Sequence, residues 1–152
     1  MDNNLLHASI SQQFPDLAVG IGNQFVEVTA TEANLYQTAQ KLKTDPDLEF
    51  DFLFCQTGVD LQNKLGVVYH LRSTRLGHTC VVKCFTDSRE NALLPTVCDL
   101  WQSAQYFERE IYDLLGIRFT NHPNMKRVFL EDDFVGHPLR KDFIDPINII
   151  HK

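Results

Sequence analysis

The side chains of this 152-residue chain whose types and spacing could act together are densest between residues 108 and 142: Glu108, Arg109, Glu110, Asp113, His122, Arg127, His137, Arg140, Lys141 and Asp142. Two carboxylates facing one substrate would make an acid-base pair, but Glu108 and Glu110 stand about 200° apart on a helix and form no dyad. Four cysteines, Cys55, Cys80, Cys84 and Cys98, would hold an iron-sulfur cluster only if tight C-x-x-C runs gathered them, and no such run occurs. Cys80 and Cys84, four apart in an expected strand, would separate their sulfurs by about 13 Å, so the cysteines read as buried structural thiols. A zinc pair from His122 and His137 lacks two further ligands at short spacing. Each imidazole is instead expected to fix its own turn through a backbone group or a carboxylate. Gly20 and Gly22 are followed by neither a third glycine nor a helix, so no dinucleotide loop is read and the chain is expected not to bind NADH. No catalytic, cofactor-binding or metal residue is expected in this chain.

These residues need a helix to position them. Spaced at about 100° per residue, Trp101, Ala104, Phe107, Ile111, Leu114 and Leu115 share one apolar face, and Gly116 closes the helix where a positive φ is wanted. Arg109 and Asp113, four apart on the opposite side, are expected to pair weakly in solvent. Glu108 projects into the apolar stripe and Glu110 sits at its edge. A desolvated carboxylate costs several kcal/mol unless paired, so Glu108, with Glu110 in support, is expected to hold a basic residue of the following segment.

That segment supplies Arg118, Lys126, Arg127, Arg140 and Lys141 among Phe119, Phe129, Phe134 and Phe143. It has no sustained period, and reads as an ordered, irregular wrap. Phe-x-x-His-Pro occurs twice, at 119–123 and 134–138, and Pro123 and Pro138 hold the preceding histidines extended, which predicts two similar turns.

The run Glu108-Arg109-Glu110-x-Tyr112-Asp113-x-x-Gly116-Ile117-x-Phe119, then His122-Pro123, then Asp132-Asp133-Phe134-x-Gly136-His137-Pro138-Leu139-Arg140-Lys141-Asp142-Phe143, resembles the C subunit (30 kDa subunit family) of proton-pumping NADH-quinone oxidoreductase, respiratory complex I. Upstream, Val59-Asp60 and the Trp101 helix fit the same pattern. Asn121 stands where a glycine is usual, Gln56-Thr57-Gly58 replaces a more acidic-apolar stretch, and the chain stops soon after Phe143. The resemblance implies a non-catalytic structural subunit of the peripheral arm, helping assemble the electron-transfer and quinone-reducing module. It further implies docking chiefly against the D subunit, with the B and I subunits nearby, on the cytoplasmic face of the inner membrane. The chain itself would carry no cofactor, while the parent complex would use FMN, iron-sulfur clusters, NADH and a quinone. Glu108, Arg109, Glu110, Asp113, His122, Pro123, Arg127, His137, Arg140, Lys141 and Asp142 would then be structural or interface residues. The alternative is the equivalent scaffold of a membrane-bound hydrogenase or ferredoxin-dependent oxidoreductase.

The whole-chain numbers agree with one soluble domain: 43% hydrophobic and 22% charged residues, with a net charge of -6 that argues against nucleic acid as a general partner. No apolar run approaches the ~20 residues of a membrane span, and residues 1–10 lack a leader's basic-then-apolar order, so membrane association is expected only through a complex. In order, the chain predicts a helix over 3–14 with Leu5, Leu6, Ile10 and Phe14 inward. A strand over 23–29 and a helix capped by Thr31 follow. Next come a strand over 49–55 with Phe50, Phe52 and Phe54 on one side, strands over 67–72 and 79–85, and a helical turn after Pro95. The expected architecture is α+β, a mostly antiparallel four-stranded sheet with helices on one face, then the C-terminal helix and the wrap. Residues 1–116 would form the α+β body and 117–152 a partner-wrapping segment of the same domain.

Overall fold

The computed structural model describes residues 2–145. They run α1 (Asn3–Gln13), β1 (Ala18–Ile21), β2 (Val26–Ala30), α2 (Leu35–Thr44), β3 (Phe52–Asp60), β4 (Leu65–Arg72), β5 (Thr79–Phe85), β6 (Leu93–Pro95), α3 (Ala104–Leu115) and β7 (Arg118–Thr120). The class is α+β as expected, but the main sheet has five strands, in the order β1-β2-β5-β4-β3. The added strand, β1, is four residues long and mostly exposed, so it shows no alternation; it exists because it pairs antiparallel with β2. All neighbours are antiparallel except β2 and β5, which run parallel because α2, β3 and β4 intervene.

Register decides which side is core. Val26, Val28 and Ala30 lie opposite Cys80, Val82 and Cys84, and these opposite Leu71, Tyr69 and Val67, all buried on one face. Leu6, Ile10, Leu35, Leu42, Trp101, Ile111 and Leu115 from the helical side join the same core. The other face presents the Lys83–Glu27 ion pair and an aromatic ledge in which His70 contacts Phe25 and Phe54. Phe52 and Phe54 belong to that open face, against the expected grouping with Phe50. Phe50 is buried before the strand begins, and a register shift between Leu53 and Cys55 breaks the alternation. Leu5 is likewise 62% exposed rather than inward, while Asp2, not the hydrophobic pattern, starts α1 by accepting the Leu5 N–H. α2 starts at Asn34 instead of Thr31: the Asn34 side chain accepts from the Thr31 N–H, closing the turn before the helix.

α3 crosses β3 at Gly58, whose hydrogen faces the helix. A Cβ there would lie 2.3 Å from Leu115 Cδ1, so the close approach needs glycine. β6 and β7, also unexpected, flank α3 in the chain and pair parallel to one another, which ties both ends of the helix to one short ladder.

Candidate functional site

α3 has two buried sides. Toward the sheet it presents Ala104, Ile111 and Leu115 with Glu108; toward the segment after β7 it presents Asp113. Both carboxylates are fully buried. Their surroundings differ in every respect.

Asp113 Oδ1 receives the Arg127 guanidinium at 2.7 Å, and Oδ2 receives the backbone N–H groups of Val128, Phe129 and Leu130 at 3.0, 2.7 and 3.1 Å. Burial alone would raise its pKa; the Arg127 bond and the three N–H groups overcome that and take it down to about 2. Arg127 also donates to the carbonyls of Phe134 and Gly136, and His137 Nδ1 meets the Asp113 carbonyl at 2.9 Å. The expected surface pair of Arg109 and Asp113 is therefore not formed. Asp113 is taken by Arg127, and Arg109 donates instead to the carbonyls of Lys126 and Arg127. Together with Leu114, whose carbonyl accepts the Leu139 N–H, these two residues of α3 hold the segment 126–139 largely by its backbone. Gly116 closes the helix at φ 76°, with the His137 ring packed where a side chain would stand.

A second node holds the rest of the wrap. Arg89 grips Asp60 with two parallel bonds of 2.6 and 2.7 Å and also reaches Asp142, while Arg140 bonds Asp142 and the Arg89 carbonyl. The Lys141 N–H donates to Asp60, whose carboxyl is held well below the usual range, first by Arg89. Asp60 stands in the family-like pattern, but nothing in the sequence around Arg89 marks it as the partner.

Glu108 has no such partner. Its oxygens accept from the Thr96 hydroxyl and the Val97 N–H, and among the described residues no Arg or Lys reaches it. The expected cation from the wrap is engaged elsewhere, Arg127 by Asp113 and Arg140 by Asp142. Burial pushes the Glu108 carboxyl up to about 7, with the Thr96 and Val97 bonds and the nearby Gln56 amide opposing. Around it stand Tyr69 and Gln56, paired across β4 and β3, whose buried polar atoms have no hydrogen-bond partner among the described residues. Glu110 is exposed.

The two Phe-x-x-His-Pro turns both dock on α3, as the expected role for their histidines requires. His122 Nε2 bonds the Gln105 carbonyl at 3.0 Å, and its Nδ1 accepts the Asn124 N–H at 3.0 Å. The two histidines sit at carbonyls eight residues apart, about 12 Å along the helix, and do not form a pair. Asn121, in the glycine-like position, adopts φ 64°, and Pro123 lines the cavity of about 540 Å³ beside Thr96 and Cys98. Cys98, Glu108 and His122 each bring one potential ligand atom within 4.8 Å of the others. Both His122 nitrogens are matched by backbone groups, however, in the donor-acceptor pattern of a neutral ring, so it has no lone pair free for an ion. Cys80 and Cys84 are buried, their thiols pushed up by desolvation, Cys84 to about 12; Cys55 and Cys98 are only partly buried, against expectation.

The outer surface of the pinned segment carries several exposed apolar side chains beside the exposed acidic run Glu131-Asp132-Asp133. Val135 is 88% exposed, Ile144 73% and Phe129 65%, with Leu139 and Val128 alongside. No helix among the described residues is long and apolar enough to cross a membrane.

Residues 28–146 match the family described as respiratory-chain NADH dehydrogenase, 30 Kd subunit. The chain is 35% identical over 148 residues to the C subunit of NADH-quinone oxidoreductase from Roseiflexus castenholzii, covering 93% of this chain and 84% of that one. It is 47% identical over 110 residues to the C/D subunit of NADH-quinone oxidoreductase from Phocaeicola vulgatus, 72% of this chain but 21% of that one. The chain thus spans about a fifth of the length of the C/D relatives it matches. A chain of an archaeal membrane-bound sulfane sulfur reductase has the same fold, with a TM-score of 0.80 at 23% identity, over 95% of this chain and 86% of that one.

Proposed function

Because the chain belongs to the 30 kDa subunit family of respiratory-chain NADH dehydrogenase, we propose that it is a non-catalytic structural subunit of the peripheral arm of a proton-translocating NADH-quinone oxidoreductase. One observation carries this reading: the segment after β7 is bolted to its own body through Asp113 and Asp60 while large apolar side chains on its outer side, Phe129, Val135, Leu139 and Ile144, stand exposed. A pinned surface of exposed Phe, Val, Leu and Ile interspersed with acidic and basic residues is suited to being covered by protein. The occupant is the D subunit. The named C/D relatives support this, since in them the matching part and the D part are one polypeptide. The chain then works by holding the module together at the cytoplasmic face of the membrane; NADH, FMN, iron-sulfur clusters and quinone belong to other subunits. Residues 117–145 form the wrap; its expected continuation over 146–152 lies outside the described residues. Relatives named for NADH-quinone oxidoreductase at 35–47% identity favour this over the hydrogenase-type scaffold.

The test is a purified complex carrying Phe129→Ser and Val135→Asp together, both at exposed positions. The expected result is lower incorporation of the chain and of the D subunit, with unchanged quinone-reductase turnover per intact complex. Full incorporation with lost turnover would overturn the reading.

A further inference from the structure

Glu108 takes no part in the docking surface, and its environment poses a charge problem. A fully buried carboxylate ordinarily sits against a cation; this one has two donors, Thr96 and Val97. Among the described residues no Arg or Lys is packed against it. β4 contributes the Tyr69 hydroxyl, with the Cys84 thiol of β5 behind it, and the loop after β6 contributes Cys98 and Asp99. The turn after β7 contributes His122, whose Nε2 lies 3.9 Å away but already serves the Gln105 carbonyl. Its Nδ1 faces the Asn124 N–H, so neither ring nitrogen is directed at Glu108 as a hydrogen-bond donor. β3 contributes only the uncharged Gln56, which approaches without a well-aligned bond. The one cation left that the site accommodates is a proton.

We propose that the folded chain holds Glu108 as the neutral acid, and that its ionisation loosens the corner made by residues 96–98 and the 119–123 turn, giving this side of the domain a pH-dependent stability. The corner is suited to this role. Thr96 and Val97, which bind the carboxyl, follow β6 directly, the 119–123 turn follows β7, and the cavity lined by Thr96, Cys98 and Pro123 opens beside them to solvent. A carboxylate formed there would draw water through that opening and pull on the two strands that hold α3. The inference rests on Glu108's own surroundings and stands whether or not the chain docks on the D subunit.

The sign follows from the raised value. Glu108 keeps a proton in the folded chain that it loses in the unfolded one, so stability falls as pH rises from the ordinary carboxylate value of 4.5 to about 7 and then levels. The experiment compares the full chain with Glu108→Gln, an isostere of the neutral acid, by chemical denaturation from pH 5 to 8, with amide-exchange protection read at Val97 and Asn124. Relative to the variant, the folding constant of the parent chain is expected to fall up to tenfold per pH unit below about 7, and the two amides to lose protection in the parent only. Parallel profiles, a Glu108→Gln chain that is less stable at pH 8 or does not fold, or unchanged protection at both amides would overturn the proposal. So would zinc ions that stabilise the parent chain at pH 8 but not Cys98→Ser, since the missing charge would then be a metal's.

Discussion

Asp113 and Glu108 leave the same helix five residues apart, both fully buried, and end at opposite extremes for a carboxylate. The difference lies in what covers them. Asp113 faces a segment with no secondary structure of its own, whose unpaired N–H groups and Arg127 need an acceptor. Glu108 faces a regular sheet whose backbone bonds are already made, and takes its two bonds, the Thr96 hydroxyl and a single backbone N–H from Val97, from the loop after β6. Burial therefore charges one acid and discharges the other: desolvation is the same kind of cost at both, and the supply of donors decides the outcome.

Removing each acid should expose the contrast. Asp113→Ala strands Arg127 and three N–H groups, and is expected to cost about 3–5 kcal/mol with rapid proteolysis between residues 126 and 141. That result is read by denaturation and limited digestion. The corresponding change at Glu108 has the opposite sign at neutral pH, because Glu108→Gln leaves no cation behind. This differs from the expectation read in the sequence, that Glu108 holds a basic residue of the following segment, which its removal would orphan. A smaller effect should sharpen the comparison. Thr96→Val deletes the hydroxyl donor to Glu108 and should cost about 1 kcal/mol at pH 8, where the group is ionised, and less at pH 5. Equal losses at both pH values would mean that Thr96 acts by packing alone.

The same two acids show how far the sequence reaches. The apolar stripe of α3, Gly116 as its end, Glu108 in the stripe and the backbone-fixing histidines follow from helical spacing and the His-Pro pairs, and β5 has the expected bounds. Helical spacing misplaces Asp113 because a wheel knows one buried face, and here an irregular segment buries the polar face as well. It misassigns the partner of Glu108 because counting available cations says nothing about which acid takes them. Arg127 bonds Asp113 at 2.7 Å, and three backbone donors converge on the same carboxylate. β1, β6 and β7 are too short to carry a period, and exist through pairing partners elsewhere in the chain. Separating Phe50 from Phe52 and Phe54 requires knowing that β3 begins only at Phe52, which the run of alternate phenylalanines does not announce.

The claim that one helix carries a charged clasp and a neutral acid is tested most directly by following both carboxyl carbons in a single ¹³C-labelled chain as pH is varied, with Glu108→Gln used to assign the first. The Glu108 signal should titrate near 7 and the Asp113 signal near 2. Two midpoints close together in the ordinary carboxylate range of about 3.9–4.3 would contradict it.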